Sequence, residues 1–236
     1  PHQGGPPARR WLRRPDVLVA AALLLVVGGL SASALVHQWR AYQRQACANN
    51  LRTFWEGLER YSDRNEGDFP VVEPDGPCSV AGIFVPMLQD AGVLTGSYSV
   101  ACPAQGQRPP PPYSVRQLKE LYHDSPAEFR AAARDLAGNY AYSLGYGEGS
   151  DHRGLCRDLG DRLPILADGS RYGAPGNSPN HGGAGQNVLY IGGHVQWCTE
   201  RTVGVDGDDI YLNKKNLLRA GVNCADTVLA PSDASP

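Results

Sequence analysis

The strongest constraint on this 236-residue chain is an uncharged run of twenty residues, 17–36, near its beginning. A helix of this length extends about 30 Å, which matches the hydrocarbon core of a bilayer. Val, Leu and Ala dominate the run, it has no polar face, and Pro15 suits the first turn of a helix. The run therefore predicts a transmembrane helix at 17–36. A cleaved secretory signal is the alternative, because a basic region, an apolar stretch and Ala32-Ser33-Ala34 also fit that pattern.

The charges around the run predict its orientation. Arg9, Arg10, Arg13 and Arg14 precede it, and basic residues flanking a span are expected to remain in the cytoplasm. We therefore predict a single-pass protein of the cell (inner) membrane, with residues 1–15 as a basic cytoplasmic tail. Residues 66–236 are expected to form a domain outside the cytoplasm, periplasmic or otherwise extracytoplasmic. Membrane lipid is then the first expected partner.

The helical pattern continues beyond the apolar run. Apolar residues recur at spacings of three and four and define one stripe on a helix: Cys47, Leu51, Phe54, Trp55, Leu58 and Tyr61. Asn65-Glu66-Gly67 ends the pattern, and Pro70 prevents its resumption. We predict one long helix at 16–65, with one half in lipid and its amphipathic half covering a sheet.

The remainder of the chain changes from helical to strand-like patterns. Short helices are predicted at 83–94, 115–122 behind the cap Ser114, and 126–137 behind the cap Ser125. Strands are predicted at 98–102, 139–146, 163–167, 186–191 and 194–198. Gly192-Gly193 predicts a tight hairpin in which both residues adopt positive φ. The predicted fold class is α+β: a long N-terminal helix packed on a small antiparallel β-sheet.

Charge and motif content argue against two functional classes. Residues 47–236 carry 16 basic and 23 acidic residues, a net charge of −7, so the globular part lacks the basic surface that nucleic-acid binding needs. The chain has no GxSxG, HExxH, P-loop or GxGxxG signature. His181 and His194 are therefore interpreted as structural, and Asp158, Asp161 and Asp168 as scattered loop acids without a paired-carboxylate site. We predict a non-enzymatic protein.

All six cysteines follow the apolar run: Cys47, Cys78, Cys102, Cys156, Cys198 and Cys224. An oxidising compartment makes disulfides the expectation, and six cysteines allow fifteen connectivities. We favour a Cys156–Cys198 pair, because both flank predicted strands. The alternative is a zinc site built from His152-x3-Cys156 and His194-x3-Cys198, although no CxxC occurs and oxidised cysteines cannot ligate zinc.

An acidic loop near the C-terminus is a candidate calcium site. Asp206, Asp208 and Asp209 place three carboxylates around Gly207, and Ca²⁺ prefers six to eight oxygen ligands at flexible angles. The spacing departs from the EF-hand pattern, and a solvated acidic turn is the alternative. No other cofactor is predicted.

Several short motifs together resemble a known family. Cys47-Ala48-Asn49-Asn50-Leu51-Arg52 is followed at the helix end by Asp68-Phe69-Pro70. Further along stand Val100-Ala101-Cys102-Pro103, Asn180-His181-Gly182-Gly183, Asn187-Val188-Leu189-Tyr190 and Gly193-His194-Val195. The combination, over residues 12–213, is similar to the Cys-x-x-Asn-Leu-Lys, Phe-Pro, His-Gly-Gly, Asn-Val-Leu-Phe and Asp-Gly-His-Val motifs of planctomycete-type pseudopilin-like proteins.

The resemblance implies a type IV pilin-like architecture and a function by assembly, as in type II secretion or type IV pilus-like systems. It implies homo-oligomers or other pilin-like subunits as partners, and it places Asp16 where pilins carry an early Glu. The chain departs from the family at Trp11-Leu12, where the leader peptidase expects Gly followed by Phe or Met, and at Gly192, where the signature has Asp. Some pseudopilins bind calcium near the C-terminus, which favours the Asp206 loop.

Two functions follow as expectations. The first is a membrane-anchored, pseudopilin-like structural or assembly protein. The alternative is a membrane-tethered binding module that holds a ligand, metal or envelope polymer in the loops between residues 145 and 181.

Overall fold

The computed structural model describes residues 14–94, 98–106, 109, 112–170 and 175–236, and the side chains of residues 14–16 are outside this description. The helices are α1 (Arg14–Arg64), α2 (Phe84–Asp90), α3 (Val115–Asp124) and α4 (Pro126–Asp135). The strands are β1 (Tyr140–Ser143), β2 (Tyr146–Glu148), β3 (Asp151–Arg153), β4 (Pro164–Asp168), β5 (Gln186–Tyr190), β6 (Val195–Cys198) and β7 (Leu229–Ala230). The fold class is α+β, as predicted.

Some predicted features lie outside the described residues. They include the arginines at 9, 10 and 13 and the pair Trp11-Leu12. Asp16 lies within α1, but its side chain is not described.

The chain divides into two compact units, Pro1–Ala41 and Tyr42–Pro236. In the first unit, the large apolar side chains of α1 are exposed, among them Leu24 at 73% and Leu25 at 78%. The helix is long and apolar enough to cross a membrane, and its apolar segment buries none of its residues within the chain. These properties are compatible with a single-pass anchor or with a signal sequence.

In the second unit, the C-terminal part of α1 packs into the core. Leu51, Phe54 and Leu58 are completely buried, as the apolar stripe predicted. The ring of Phe54 makes edge contacts with Phe84 and Tyr140 at centroid distances of 5.5 and 5.7 Å. The helix therefore packs directly on the sheet through β1, which supplies Tyr140.

The predicted end of α1 is confirmed by its hydrogen bonds. The amides of Asn65 and Gly67 both donate to the carbonyl of Ser62, at 3.1 and 2.9 Å. Gly67 has a φ of +97°, which a residue with a side chain rarely adopts. The chain therefore leaves the helix at this glycine and turns back towards the sheet.

The main sheet has five strands in the order β6-β5-β4-β1-β7, and every neighbouring pair is antiparallel. A separate two-stranded hairpin is formed by β2 and β3. The predicted strand at 139–146 is interrupted at Gly145, whose φ of +74° separates β1 from β2. The short strands β3 and β7 were not predicted, because two or three residues carry too little periodicity.

The hairpin between β5 and β6 differs from its prediction. The two strands pair antiparallel, and Tyr190 N donates to His194 O at 3.1 Å, so the connection is as tight as expected. Of the two glycines, only Gly193 has a positive φ, at +80°. The prediction of positive φ at both positions was therefore wrong. A side chain at Gly192 would instead meet Asp161, which lies 2.8 Å from the position of its Cβ.

The strand predicted at 98–102 was also wrong, since this segment bends and has no ladder. Side chains satisfy its backbone instead: Ala101 N donates to Ser99 Oγ at 3.1 Å, and Ala101 O accepts from Asn50 Nδ2 at 3.1 Å. Ser114 caps α3 as predicted, in a capping box with Gln117. Ser125 precedes α4 but makes no side-chain cap bond.

Candidate functional site

A buried carboxylate, Asp168 at the end of β4, is the centre of the candidate site. Its side chain has no exposed surface. Its Oδ2 accepts hydrogen bonds from the amide and from Nδ2 of Asn187, at 2.7 and 3.0 Å, and its Oδ1 accepts from Asn180 Nδ2 at 3.2 Å. His181 Nε2 lies 3.2 Å from Oδ2. Since a buried carboxylate is costly without partners, this full set of contacts explains how Asp168 is accommodated.

Local structure places these partners. Residue 167 pairs with residue 188 in the β4–β5 ladder, so Asp168 stands beside Asn187 where the ladder ends. A 3-10 turn, Pro179–His181, brings Asn180 and His181 to the same point. Ser178 Oγ caps this turn by accepting from Asn180 N, and Gly182 ends it with a φ of +68°. Strand register and one short capped turn are therefore sufficient to assemble the donors.

A disulfide between Cys47 of α1 and Cys102 lies against this carboxylate and imidazole. Both cysteines are completely buried, and Cys102 Sγ is 3.7 Å from His181 Nε2. The ligand atoms of Cys47, Cys102, Asp168 and His181 all lie within 4.8 Å of one another. We call these four residues the Asp168 cluster. Two sulfurs, one imidazole nitrogen and one carboxylate oxygen therefore converge in the interior.

Tyr140 and Asn50 support the sulfur side of the Asp168 cluster. Asn50 Nδ2 donates to Tyr140 Oη at 2.9 Å, and the phenol donates to Cys47 Sγ at 3.9 Å. Burial raises the pKa of Tyr140 far above its ordinary value, the Asp168 charge raises it further, and the Asn50 hydrogen bond lowers it. The phenol therefore stays protonated and remains a donor to the sulfur.

An aromatic edge closes the other side of the cluster. The rings of His181 and Trp197 meet edge to face at 5.2 Å, and the guanidinium of Arg44 lies 5.0 Å from the Trp197 ring centre. The His181 side chain retains only 5% of its surface. The group is consequently shielded from bulk water in this structure.

The residues that carried the family resemblance divide between two places. Asn50, His181 and Asn187 meet at the Asp168 cluster, while Leu51 enters the apolar core beside them. Gly193 and His194 lie instead in the β5–β6 turn. Gly193 packs under Trp55, whose Nε1 would lie 2.5 Å from an added Cβ, and the His194 ring stacks on Tyr190 at 4.5 Å.

The sequence interpretation missed the role of Asp168. It was treated as one of several isolated loop acids, like Asp158 and Asp161, because it belongs to no recognisable sequence motif. The available signal was its place at the end of an apolar strand, Pro164–Asp168, all five residues of which are buried. A charged residue closing such a strand rarely stays buried without specific partners.

The cysteine predictions require correction. Cys47 and Cys102 form the disulfide, whereas Cys78, Cys156, Cys198 and Cys224 are free thiols. The favoured Cys156–Cys198 pair was therefore wrong. The backbone of Cys156 pairs with that of Asp68 in an isolated antiparallel β-bridge, just beyond the end of α1. Cys198 instead ends the edge strand β6. Flanking a predicted strand gave no information about which strands are neighbours.

The alternative zinc site also fails to form. His152 Nε2 contacts the carbonyl of Val72 at 2.8 Å, and Cys198 Sγ lies 3.9 Å from Tyr190 Oη. Among the described residues, which include all four of the predicted ligands, His152, Cys156, His194 and Cys198 do not gather into a ligand group. Sequence spacing identified two ligand pairs that the fold keeps apart.

Among the residues that the structure describes, the acidic-loop residues Asp206, Asp208 and Asp209 do not form a group of converging ligands. Asp209 Oδ1 forms a 2.7 Å ion pair with Arg201 Nε, and Asp206 is exposed. Asp208 Oδ2 accepts from Thr227 N at 3.2 Å. Burial, followed by the nearby charge of Asp226, raises the pKa of Asp208 to about 6. Calcium binding by Asp206, Asp208 and Asp209 therefore stays a prediction, and in this structure one of the three carboxylates is already paired with an arginine.

Comparison of the chain with family models, with curated proteins and with solved structures finds no match.

Proposed function

We propose that this chain is a membrane-anchored, extracytoplasmic, pilin-like structural subunit that acts by assembly and not by catalysis, in a type II secretion or type IV pilus-like system. The observation that carries the proposal is the composition of α1 along its length. Its apolar segment buries nothing within the chain, while its C-terminal part contributes Leu51, Phe54 and Leu58 to the core of an α+β unit.

The uncovered apolar side chains of α1 support both the membrane and the assembly parts of the proposal. A row of exposed Val and Leu residues of this length is tolerated only in lipid or against other helices. Within lipid, helices associate through small residues that permit close approach. Gly28 and Gly29 have open space around the position of a Cβ, so this part of the helix is available to another helix.

The buried Cys47–Cys102 disulfide supports the extracytoplasmic placement, because such bonds form and persist in oxidising compartments. The basic residues before the apolar segment favour the same orientation. The resemblance to pilin-like proteins supports assembly as the mode of action.

Topology can be tested through the exposed thiol of Cys224. A membrane-impermeant maleimide added to spheroplasts should label the wild-type chain, and Cys224→Ser should lose most of that label. Lysis before labelling should not increase the signal from Cys224. If the thiol reacts only after lysis, the globular unit is cytoplasmic and the proposed orientation is wrong.

Assembly can be tested by amine and photo-crosslinking in intact cells. The native chain should give a ladder of homo-oligomers or of complexes with other pilin-like subunits. A matched variant replaces residues 17–36 by an unrelated Leu/Ala helix of twenty residues, which retains anchoring by length and apolarity. We expect this variant to localise normally and to lose the ladder. A native chain that stays monomeric, or a ladder that survives the exchange, would contradict assembly through α1.

The Asp168 cluster favours a second candidate function, a membrane-tethered binding module. Nitrogen, oxygen and sulfur ligand atoms lie within 4.8 Å of one another there, and the two sulfurs can ligate a metal only when the Cys47–Cys102 disulfide is reduced. Monomers that retain a metal after purification under reducing conditions would favour this function over assembly.

A further inference from the structure

We propose that the Asp168 cluster is a redox-gated zinc site: closed while Cys47 and Cys102 are joined, and a four-ligand tetrahedral site when both are thiolates. This inference concerns a different part of the molecule from assembly through the apolar part of α1. Either proposal can fail without the other.

The donor set matches zinc. Zinc binds thiolate, imidazole and carboxylate ligands and prefers four of them in a tetrahedron. The cluster offers two sulfurs, one imidazole and one carboxylate. Zinc bonds of about 2.3 Å to sulfur and about 2.0 Å to nitrogen or oxygen place neighbouring tetrahedral ligands roughly 3.3 to 3.8 Å apart. In the structure, His181 Nε2 lies 3.7 Å from Cys102 Sγ and 3.2 Å from Asp168 Oδ2. These two edges of a tetrahedron are therefore in place without a bound ion.

The surrounding residues already orient the ligands. Asn187 and Asn180 fix the carboxylate of Asp168 through three hydrogen bonds, and Tyr140 Oη contacts Cys47 Sγ. Such outer contacts typically change metal affinity by about 10- to 100-fold. Burial of the group also excludes competing water.

The gate is the oxidation state of the two sulfurs. Bonded sulfurs carry no thiolate charge and cannot ligate zinc, so the structure shows the closed state. In the open state, Zn²⁺ binds as two thiols lose their protons. Closing requires a disulfide oxidant, RSSR: its S–S bond breaks, the Cys47–Cys102 bond forms, two electrons pass to the oxidant, and two RS⁻ and Zn²⁺ are released. A newly exported chain, still reduced, would thus hold zinc until it meets such an oxidant.

The experiment uses the full chain in detergent micelles, prepared from cells that lack the extracytoplasmic thiol oxidase and kept reduced with a phosphine. Co²⁺ replaces Zn²⁺ as a spectroscopic probe, and Zn²⁺ affinity is measured by competition with a chromogenic chelator. We expect about one tetrahedral Co²⁺ per reduced chain, displaced by Zn²⁺, and at least about 100-fold weaker binding after oxidation of the same sample.

Two variants separate this cluster from the other thiols. Cys102→Ala should weaken Zn²⁺ binding by at least about 100-fold in the reduced protein, whereas the exposed-thiol control Cys224→Ala should not change it. If Cys102→Ala fails to fold, peptide mapping of the wild-type chain gives the answer. Zinc should slow the alkylation of Cys47 and Cys102 relative to the same reduced chain without zinc, while Cys224 should react equally fast in both samples.

The proposal is overturned if the reduced chain gives no tetrahedral Co²⁺ spectrum. It is equally overturned if oxidation leaves the affinity unchanged, or if Cys47 and Cys102 are alkylated as fast with zinc as without it.

Discussion

Replacement of Asp168 by alanine tests the energetic role of the buried cluster. The substitution removes a carboxylate with no exposed surface and strands three N–H donors, two on Asn187 and one on Asn180. A hydrogen bond to a charged group contributes about 1.5 to 3 kcal/mol, and a stranded buried donor costs about 1 to 3 kcal/mol. Partial relaxation and water entry reduce the sum. We therefore expect a loss of about 3 to 5 kcal/mol, as for other broken buried pairs.

The measurement is urea unfolding of the full, oxidised chain in detergent, followed by tryptophan fluorescence. Trp197 contacts His181 and Arg44, so its emission reports on this region. The matched control is Asp158→Ala, an exposed acid, which should change the free energy of unfolding by less than about 0.5 kcal/mol. If Asp168→Ala costs no more than the control, the carboxylate is not integrated as the hydrogen bonds indicate.

Three further changes test other parts of the second unit. Because the pKa of Asp208 is raised to about 6 by burial and by Asp226, the folded chain retains a proton there between about pH 4 and 6 that the unfolded chain has released. The free energy of unfolding should thus fall as pH rises through this window. Asp208→Asn should flatten this pH dependence in urea unfolding. It should also raise the free energy of unfolding at pH 7 by roughly 1 kcal/mol, a value reduced for solvent screening of this partly exposed group. Ser114→Ala removes a capping box and should cost about 1 kcal/mol in urea unfolding, whereas Ser125→Ala, which removes no cap bond, should cost less than half of that. Phe54→Ala removes a fully buried ring with three aromatic neighbours and should lower stability by about 3 to 5 kcal/mol; a loss under 1 kcal/mol would contradict the packing of α1 on the sheet.

The sequence was most informative where periodicity extended over many residues. The apolar stripe of Leu51, Phe54 and Leu58 predicted the buried face of α1, and all three side chains are completely buried. The strands β4, β5 and β6 were located within a few residues of their true bounds. Long segments repeat the same physical signal several times, so an error at one position has little effect.

The candidate site could not be predicted because its residues are brought together by tertiary structure. Cys47, Cys102, Asp168 and His181 come from a helix, a bend, a strand end and a 3-10 turn. No periodicity relates these positions, and each alone is an ordinary residue of its segment. The same reason explains the wrong Cys156–Cys198 pairing, since the pairing depends on strand order and not on local pattern.

Polar contacts at and beside the Asp168 cluster fix the position of α1 along the sheet, which apolar packing leaves undetermined. A stripe with a spacing of three and four looks nearly the same after a shift of one helical turn, about 5.4 Å, so hydrophobic contacts alone discriminate weakly between adjacent registers. In the observed register, the amide of Asn50 reaches Tyr140 Oη and Ala101 O. The Cys47–Cys102 bond fixes the same register covalently one turn earlier. A shift by one turn would break both connections and leave buried polar groups without partners, which makes the alternative registers costly.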